Sequence, residues 1–162
     1  MKARSIAITL IVWLALMASL ACGNGDQGRF EQSGYTECSE CNLANADLRN
    51  LRYVDNVRVD LYWANLSGAN LSGANLNIAG LRRADLSGAD LSGANLTSAD
   101  LSGADLSGAN LTSADLAYAY LIGANLTDAD LTDTDLAGAN LKYVIGADFS
   151  GAQNVPVKYL KD

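Results

Sequence analysis

The chain has 162 residues, and Ala and Leu supply most of an apolar fraction of 49%, with only 2 Phe and 2 Trp. Globular cores mix large and small side chains to fill space, so this composition favours one small cross-section stacked many times. The net charge of −7 disfavours nucleic-acid binding, because phosphates require a basic surface. The sequence contains no His, and we expect no cofactor and no metal site.

Residues 1–21 have the three zones of a secretory signal peptide. Lys2 and Arg4 are followed by an apolar run from Ile6 to Met17, and then by a short segment that contains small residues. The run is too short for a comfortable membrane span, although an uncleaved N-terminal anchor is the alternative interpretation. The pattern therefore predicts export from the cytoplasm.

Cys22, which follows this segment, is a candidate for lipidation. The preceding residues resemble a bacterial lipobox but depart from it at Ser19 and Leu20, so ordinary cleavage before the cysteine is the alternative. Residues 22–37 begin with a polar, Gly-rich stretch and predict a flexible tether. The expected location is the periplasm, the outer membrane or the surface of a bacterium, with an N-terminal lipid as the membrane contact.

Cys38 and Cys41 form a CxxC motif, which we interpret as a local disulfide at the N-terminal end of the folded domain. Such a bond is compatible with an oxidising compartment outside the cytoplasm, and free thiols are the alternative. A zinc site needs about four ligands, and only Cys22 would remain to add to this pair.

Leucine recurs at every fifth position from Leu61 to Leu141 without a gap, which makes 17 consecutive copies of one short repeat. Two positions before each leucine stands Ala in 15 of the 17 copies, the exceptions being Val59 and Thr134. Asp or Asn precedes nearly every leucine, and small polar residues or Gly usually follow it. Internal repetition on this scale predicts a solenoid.

A period of five fits neither regular secondary structure. In an α-helix one such period turns the chain about 500°, so the leucines would form no buried stripe. In a strand an odd period sends successive leucines to opposite faces. The repeat therefore predicts a short extended segment and one corner per copy, with Ala and Leu inside and the polar residues outside or in the turn.

The quintet Ala-Asn-Leu-Ser-Gly at residues 69–73 resembles the signature of the pentapeptide-repeat family, and the resemblance covers residues 38–154, with a regular part at 59–143. It implies an all-β, right-handed quadrilateral β-helix in which each coil contains four copies of the quintet. The matched part of the chain then makes about five to six coils. In such a solenoid each coil is stabilised by its neighbours.

The repeat changes step at both ends of the regular run. Leu43 and Leu48 are in step with each other but not with Leu61, and Phe149 is out of step with Leu141. These changes predict distorted terminal coils. We expect residues 155–162 to form a C-terminal cap or tail over the open end of the coil, because an exposed end invites edge pairing.

One side of the predicted coil differs from the others. We call it the first face; its outer residues follow Leu61 and every fourth leucine after it. Aromatic and basic residues are concentrated there, whereas the second and third faces carry mostly Ser and Thr. Such residues are enriched in protein interfaces, and neutral drift is the alternative. The candidates on the first face are Tyr62, Trp63, Arg82, Arg83, Ile122, Lys142 and Tyr143, with Tyr118 and Tyr120 at its edge.

These features predict a non-catalytic structural or protein-interaction module whose partner is another protein or a second copy. Stacked acids such as Asp85 and Asp105 can do acid–base work, but a convex solenoid offers no cleft, so we expect no enzyme. The alternative is a DNA-mimicking inhibitor of a type II topoisomerase, because some members of the family resemble DNA and bind these enzymes. The ten acids of the regular run divide 2, 3, 3 and 2 among the four faces, which disfavours mimicry.

Overall fold

A computed structural model describes residues 42–45, 48–49 and 59–160 of the chain. The signal peptide predicted at 1–21, the tether at 22–37 and the three cysteines Cys22, Cys38 and Cys41 lie outside the described residues. Within those residues, no helix is long and apolar enough to cross a membrane.

The regular run is a four-sided coil in which neighbouring turns pair as parallel β-bridges. Each bridge joins two residues that are four repeats apart in the sequence, as Asp60 pairs with Gly80 and Gly80 with Asp100. Each bridge is isolated, so every side of the coil contributes very short extended segments and no long strand. The helix in the described part of the chain is a 3₁₀ turn at Val157–Tyr159.

Hydrogen bonds between coils hold the stack together, and the repeat centred on Leu66 illustrates them. The Leu66 N–H donates to the carbonyl of Asp85 in the next coil at 2.7 Å, and the Gly68 N–H donates to Ser87 at 2.9 Å. In the other direction the Asp85 N–H donates to Ala64 at 2.9 Å. In a repeat with a coil on either side, three of the five N–H groups are thus paired with a neighbouring coil.

The two remaining N–H groups close the corner within the repeat itself. The Ala69 N–H donates to the carbonyl of Leu66 at 3.0 Å. The Ser67 N–H donates to the side-chain Oδ1 of Asn65 at 3.1 Å, which is the local bond that Asn and Asp form in turns. Most repeats carry Asn or Asp before leucine, since this side chain supplies the acceptor that the backbone of the corner lacks.

The interior of the coil is a dry column of leucine and alanine. All 17 leucines of the regular run are buried, with no more than 3% of any of them exposed. The alanines at the preceding inward positions are buried beside them, except for the partly buried Ala129. Since each leucine from Leu81 to Leu121 has a leucine 20 residues before it and another 20 residues after it, the apolar burial expected to dominate stability is spread evenly along the central coils.

Thr134 replaces one alanine of this column and is fully buried. Its hydroxyl donates to the carbonyl of Leu111 in the preceding coil at 2.7 Å. The buried hydroxyl is therefore satisfied, which removes most of the penalty for placing a polar group in an apolar core.

The N-terminal change of step is an insertion of three residues. Asn42 pairs with Asn65, and their separation in the sequence is greater by three than that of a regular pair such as Asn65 and Asp85. The Leu48 N–H donates to the carbonyl of Asn70 at 2.7 Å, and both Leu43 and Leu48 are buried. These two leucines therefore continue the interior column although they are out of step in the sequence.

The C-terminal change of step is a deletion of two residues. Asn125 still pairs with Ile145 at the regular separation, but Asp135 pairs with Gln153 at a separation that is shorter by two. Gly146 lies where a leucine would stand, with its backbone against Thr127. The final coil thereby lacks one corner on the second side, and Phe149 reaches the interior in spite of its shifted step.

The residues after this coil lie against the C-terminal end of the stack. Val155 and Tyr159 pack against the core, and Pro156 precedes the 3₁₀ turn Val157–Tyr159. The hydroxyl of Tyr159 donates to Oδ1 of Asn140 at 3.2 Å. Apolar and hydrogen-bonded contacts thus join the segment to the last coils.

Candidate functional site

The side chains that project farthest from the solenoid stand at the corners, at the first and second positions after each leucine. The second corner residue always has a left-handed backbone, with φ near +60°. Glycine adopts this conformation without cost, whereas other residues lose about 1 kcal/mol or more there. A large side chain at this position is therefore held at the expense of stability.

Four of the nine predicted interface residues occupy this costly position. Trp63 has φ +58°, Arg83 +59°, Tyr118 +59° and Tyr143 +62°. On the second and third faces the same corner is mostly Gly, Ser or Asp. Strained backbone that carries unusual side chains is a reason to suspect function, and here it coincides with the aromatic and basic residues.

The first face divides into two groups, of which the N-terminal cluster comprises Tyr62, Trp63, Arg82 and Arg83. The rings of Tyr62 and Trp63 meet edge to face, with centroids 5.8 Å apart and planes at 87°. The guanidinium carbon of Arg83 lies 4.9 Å from the centroid of the Trp63 ring, within the range of a cation–π contact. Trp63 nevertheless remains 45% exposed.

The next coil separates this group from the rest of the face, because its corner consists of Ser102 and Gly103. The aliphatic stem of Arg83 covers Gly103, and a Cβ at Gly103 would lie 3.4 Å from Cγ of Arg83. No bulky group therefore projects from the middle of the first face.

The C-terminal cluster comprises Tyr118, Tyr120, Ile122, Lys142 and Tyr143. Tyr118 lies over Gly138 of the next coil, where an added Cβ would come within 2.7 Å of its ring. The missing side chain of Gly138 thus makes room for the ring, and Tyr118 stays 65% exposed. Tyr143 is 71% exposed, and the Lys142 ammonium lies 4.7 Å from its ring centroid.

Sequence reasoning missed Ile145, which extends the C-terminal cluster toward the second face and is 58% exposed. It occupies the outer position that Asn or Asp holds in most repeats, paired with Asn125. An apolar residue at a position otherwise reserved for a turn-forming side chain was the signal that could have identified it.

The acidic residues form short rows and no long track. Asp85 and Asp105 are neighbours in one row, and Asp115 and Asp135 in another, as their spacing predicts. The first of these pairs ends at Asn125, whose amide donates to Oδ1 of Asp105 at 3.0 Å. Among the bridge rows of residues 59–160, no more than two Asp residues follow each other.

Hydrogen bonds from residues of the same corner lower the pKa of two of the Asp carboxylates. The hydroxyl and the backbone N–H of Ser107 lower the pKa of Asp105 below its ordinary value of 3.8, against a smaller opposing effect of burial. Thr132 lowers the pKa of the exposed Asp130 in the same way. These carboxylates are thus ionised turn acceptors rather than proton carriers at neutral pH. Within the described ranges, no group of three or more Cys, Asp or Glu residues is arranged to hold a metal ion.

The geometry defines the chain as a convex β-solenoid with clusters of large side chains on its surface. In solenoids of this class, the sequence of the repeat distinguishes one family from another. A family model for pentapeptide repeats matches eight copies, at residues 57–93, 79–112 and 109–152. The chain belongs to the pentapeptide-repeat family, which confirms the predicted right-handed quadrilateral β-helix. This fold generally serves as a non-enzymatic structural or interaction scaffold.

Solved structures of the family resemble the chain to different extents. The pentapeptide repeat protein Rfr23 from the cyanobacterium Cyanothece 51142 is 34% identical, with 74% of this chain and 92% of Rfr23 covered and a TM-score of 0.65. HetL from Nostoc sp. strain PCC 7120, a protein involved in heterocyst differentiation regulation, is 44% identical over 67% of this chain and 46% of its own, with a TM-score of 0.48. QnrB1, a plasmid-mediated fluoroquinolone resistance protein, is 21% identical over 65% of this chain and 63% of its own, with a TM-score of 0.33. No curated protein matches the chain.

Proposed function

We propose that the chain is an exported, non-catalytic module that binds another protein through the C-terminal cluster. The observation that carries the proposal is the ring of Tyr118, which lies over Gly138 and leaves most of its surface exposed. The glycine leaves room for the ring and does not cover its outer side. A tyrosine side chain loses little conformational entropy when a partner covers it, because it has only two χ angles.

The composition of the C-terminal cluster supports a protein partner. Tyr118, Tyr120 and Tyr143 are each more than half exposed, and Ile122 and Ile145 add aliphatic surface around them. Tyrosine is typical of the residues that dominate binding energy at protein interfaces. A contiguous exposed patch of this kind on an otherwise polar surface marks an interaction site.

The alternative, a DNA-mimicking inhibitor of a type II topoisomerase, has less support from the geometry. A DNA-like surface requires long acidic tracks, and in the bridge rows of residues 59–160 each Asp or pair of Asp residues is followed by Asn, Gly, Tyr or Gln, or ends its row. A topoisomerase inhibition assay with the chain distinguishes the two functions. Inhibition that survives the loss of Tyr118 and Tyr120 would favour the alternative.

Site-specific photo-crosslinking in the native cell envelope tests the protein contact. A photoreactive residue at Tyr120 is expected to capture one discrete partner, identified by mass spectrometry. The matched control is the same residue at Thr112, which lies on the Ser- and Thr-rich third face. Equal capture at both positions, or capture of nothing but this chain at Tyr120, would refute the proposal.

Metabolic labelling with palmitate tests the proposed export with a lipid anchor. Label is expected on the natural chain and not on Cys22→Ser, because a lipoprotein carries its acyl groups on that cysteine. Equal labelling of the two chains would exclude lipidation at Cys22.

A further inference from the structure

The charge of the solenoid is strongly uneven along its axis. Residues 59–98 contain three acids and two bases, a net charge of −1, whereas residues 99–138 contain seven acids and no base, a net charge of −7. The two segments are equal in length, and each spans two coils. The N-terminal coils are therefore much less repelled by an anionic surface than the coils that follow them.

Both bases of the first segment lie in the N-terminal cluster. Arg82 and Arg83 are exposed, and within residues 59–160 neither arginine is ion-paired to a carboxylate. Beside them stand Trp63, 45% exposed, and Tyr62, 37% exposed. Tryptophan and tyrosine favour the boundary between lipid and water, and arginine recognises phosphate.

The N-terminal cluster also lies at the end of the solenoid that the N-terminal segment of the chain enters. The polypeptide enters the solenoid next to the coil that carries Trp63, because Leu43 and Leu48 hydrogen-bond to that coil through their N–H groups. An anchor at or before Cys22 would thus be joined through the chain to this end of the solenoid. A basic patch adds electrostatic attraction to anionic lipids to the attachment that the N-terminal segment supplies.

We infer that the N-terminal cluster docks on the anionic phospholipid headgroups of a membrane surface. Arg82 and Arg83 contact the phosphates, and Tyr62 and Trp63 enter the interface beside them. The acidic coils then point away from the lipid, and the C-terminal cluster stays open to a protein. The inference goes beyond the proposed protein contact, which uses the other group of residues.

Trp63 supplies its own reporter, because the chain has only one other tryptophan, Trp13. In the full chain with Trp13→Phe, the fluorescence of Trp63 is measured on vesicles of phosphatidylglycerol and on vesicles of phosphatidylcholine. The apolar N-terminal segment is expected to hold the chain on both, so emission from the vesicle-bound chain reports docking rather than attachment. We expect a blue shift and reduced acrylamide quenching on phosphatidylglycerol alone, and no change with inorganic phosphate.

Charge removal in the cluster is the decisive variant. Arg82→Ala with Arg83→Ala is expected to weaken docking roughly 30-fold, or about fivefold for each arginine. The matched control is Lys142→Ala with Tyr143→Ala, a basic and aromatic pair on the same face at the other end, which is expected to leave the Trp63 emission unchanged. Far-UV spectra establish that both variants fold.

Three results would overturn the inference. The first is Trp63 emission on phosphatidylglycerol equal to that in solution, and the second is an equal blue shift on both lipids. The third is a blue shift without vesicles that grows with protein concentration, which would show that a second copy covers the cluster. Each leaves the crosslink from Tyr120 to a partner untouched. Conversely, loss of that crosslink with normal docking of Trp63 would refute the proposed protein contact alone.

Discussion

In the regular coils of residues 59–143 every leucine is buried, whereas in the final coil the interior residues Val144 and Phe149 are only partly covered. Both regions place apolar residues inside and corners outside. Most regular leucines have a coil on either side, while the final coil lacks a corner and has a full coil on one side only. The interior of a coil is therefore covered best where neighbouring coils of equal length lie on both sides of it.

Truncation of a central leucine is expected to have the largest effect. Leu101→Ala should lower the free energy of unfolding by about 3 kcal/mol, because it leaves a cavity that rigid neighbouring coils cannot fill. Val144→Ala, which removes one carbon fewer from a partly buried site, should cost about 1 kcal/mol. Urea denaturation of both variants measures the difference, and equal costs would mean that the two regions are equally packed.

Alanine substitution at two corner glycines distinguishes the effect of backbone strain from the effect of displacing the Tyr118 ring. Gly93→Ala and Gly138→Ala both place a Cβ on a left-handed backbone, so each should lose about 1 kcal/mol of stability. Only the second variant displaces a neighbour, since the added Cβ would meet the exposed ring of Tyr118, which can swing away. We therefore expect similar denaturation midpoints but weaker crosslinking from Tyr120 in Gly138→Ala alone. Unchanged crosslinking would show that the position of the Tyr118 ring is irrelevant to binding.

Tyr143→Gly is expected to stabilise the protein while it removes a binding residue. The side chain is 71% exposed and its backbone has φ +62°, so glycine relieves strain and loses little burial. We expect a gain of about 0.5–1 kcal/mol in urea denaturation. A loss of stability in Tyr143→Gly would mean that the Tyr143 ring contributes more to the stability of the solenoid than the left-handed backbone costs.

The smallest expected effect is a change in how the free energy of unfolding depends on acidic pH. Hydrogen bonds from Ser107 lower the pKa of Asp105 in the folded state below 3.8, so the carboxylate contributes stability that is present above that value and is lost as the pH falls through the lower, folded pKa. Asp105→Asn removes this titration but keeps an acceptor for the corner. The free energy of unfolding, measured from mildly acidic pH down through this pKa, should fall less steeply in the variant. An identical slope would show that Asp105 does not contribute.

The period of five was sufficient to predict the interior column, and the coil of four repeats implied by the family resemblance assigned each residue to a face. It could not predict how many residues the terminal coils gain or lose, because the insertion of three residues and the deletion of two fall between recognisable repeats. Nor could it show that Tyr118 lies over Gly138, since this contact joins adjacent coils and depends on the direction of a side chain. Ile145 was missed because it lies beyond the last regular repeat, although an apolar residue at the position that usually holds Asn or Asp was visible in the sequence.

Pairs of engineered cysteines test most directly whether residues four repeats apart stack in adjacent coils. In a chain whose three natural cysteines are Ser, Ser92→Cys with Thr112→Cys places the two cysteines in adjacent coils of the same face. The spacing of paired strands is about 5 Å, which is within the Cα–Cα separation of about 4–7 Å that a disulfide spans. The matched pair Ser92→Cys with Ser107→Cys lies on different faces. Oxidation followed by mass spectrometry should show an intramolecular disulfide in the first pair and free thiols in the second. A disulfide in the second pair and none in the first would contradict the stacked four-sided coil.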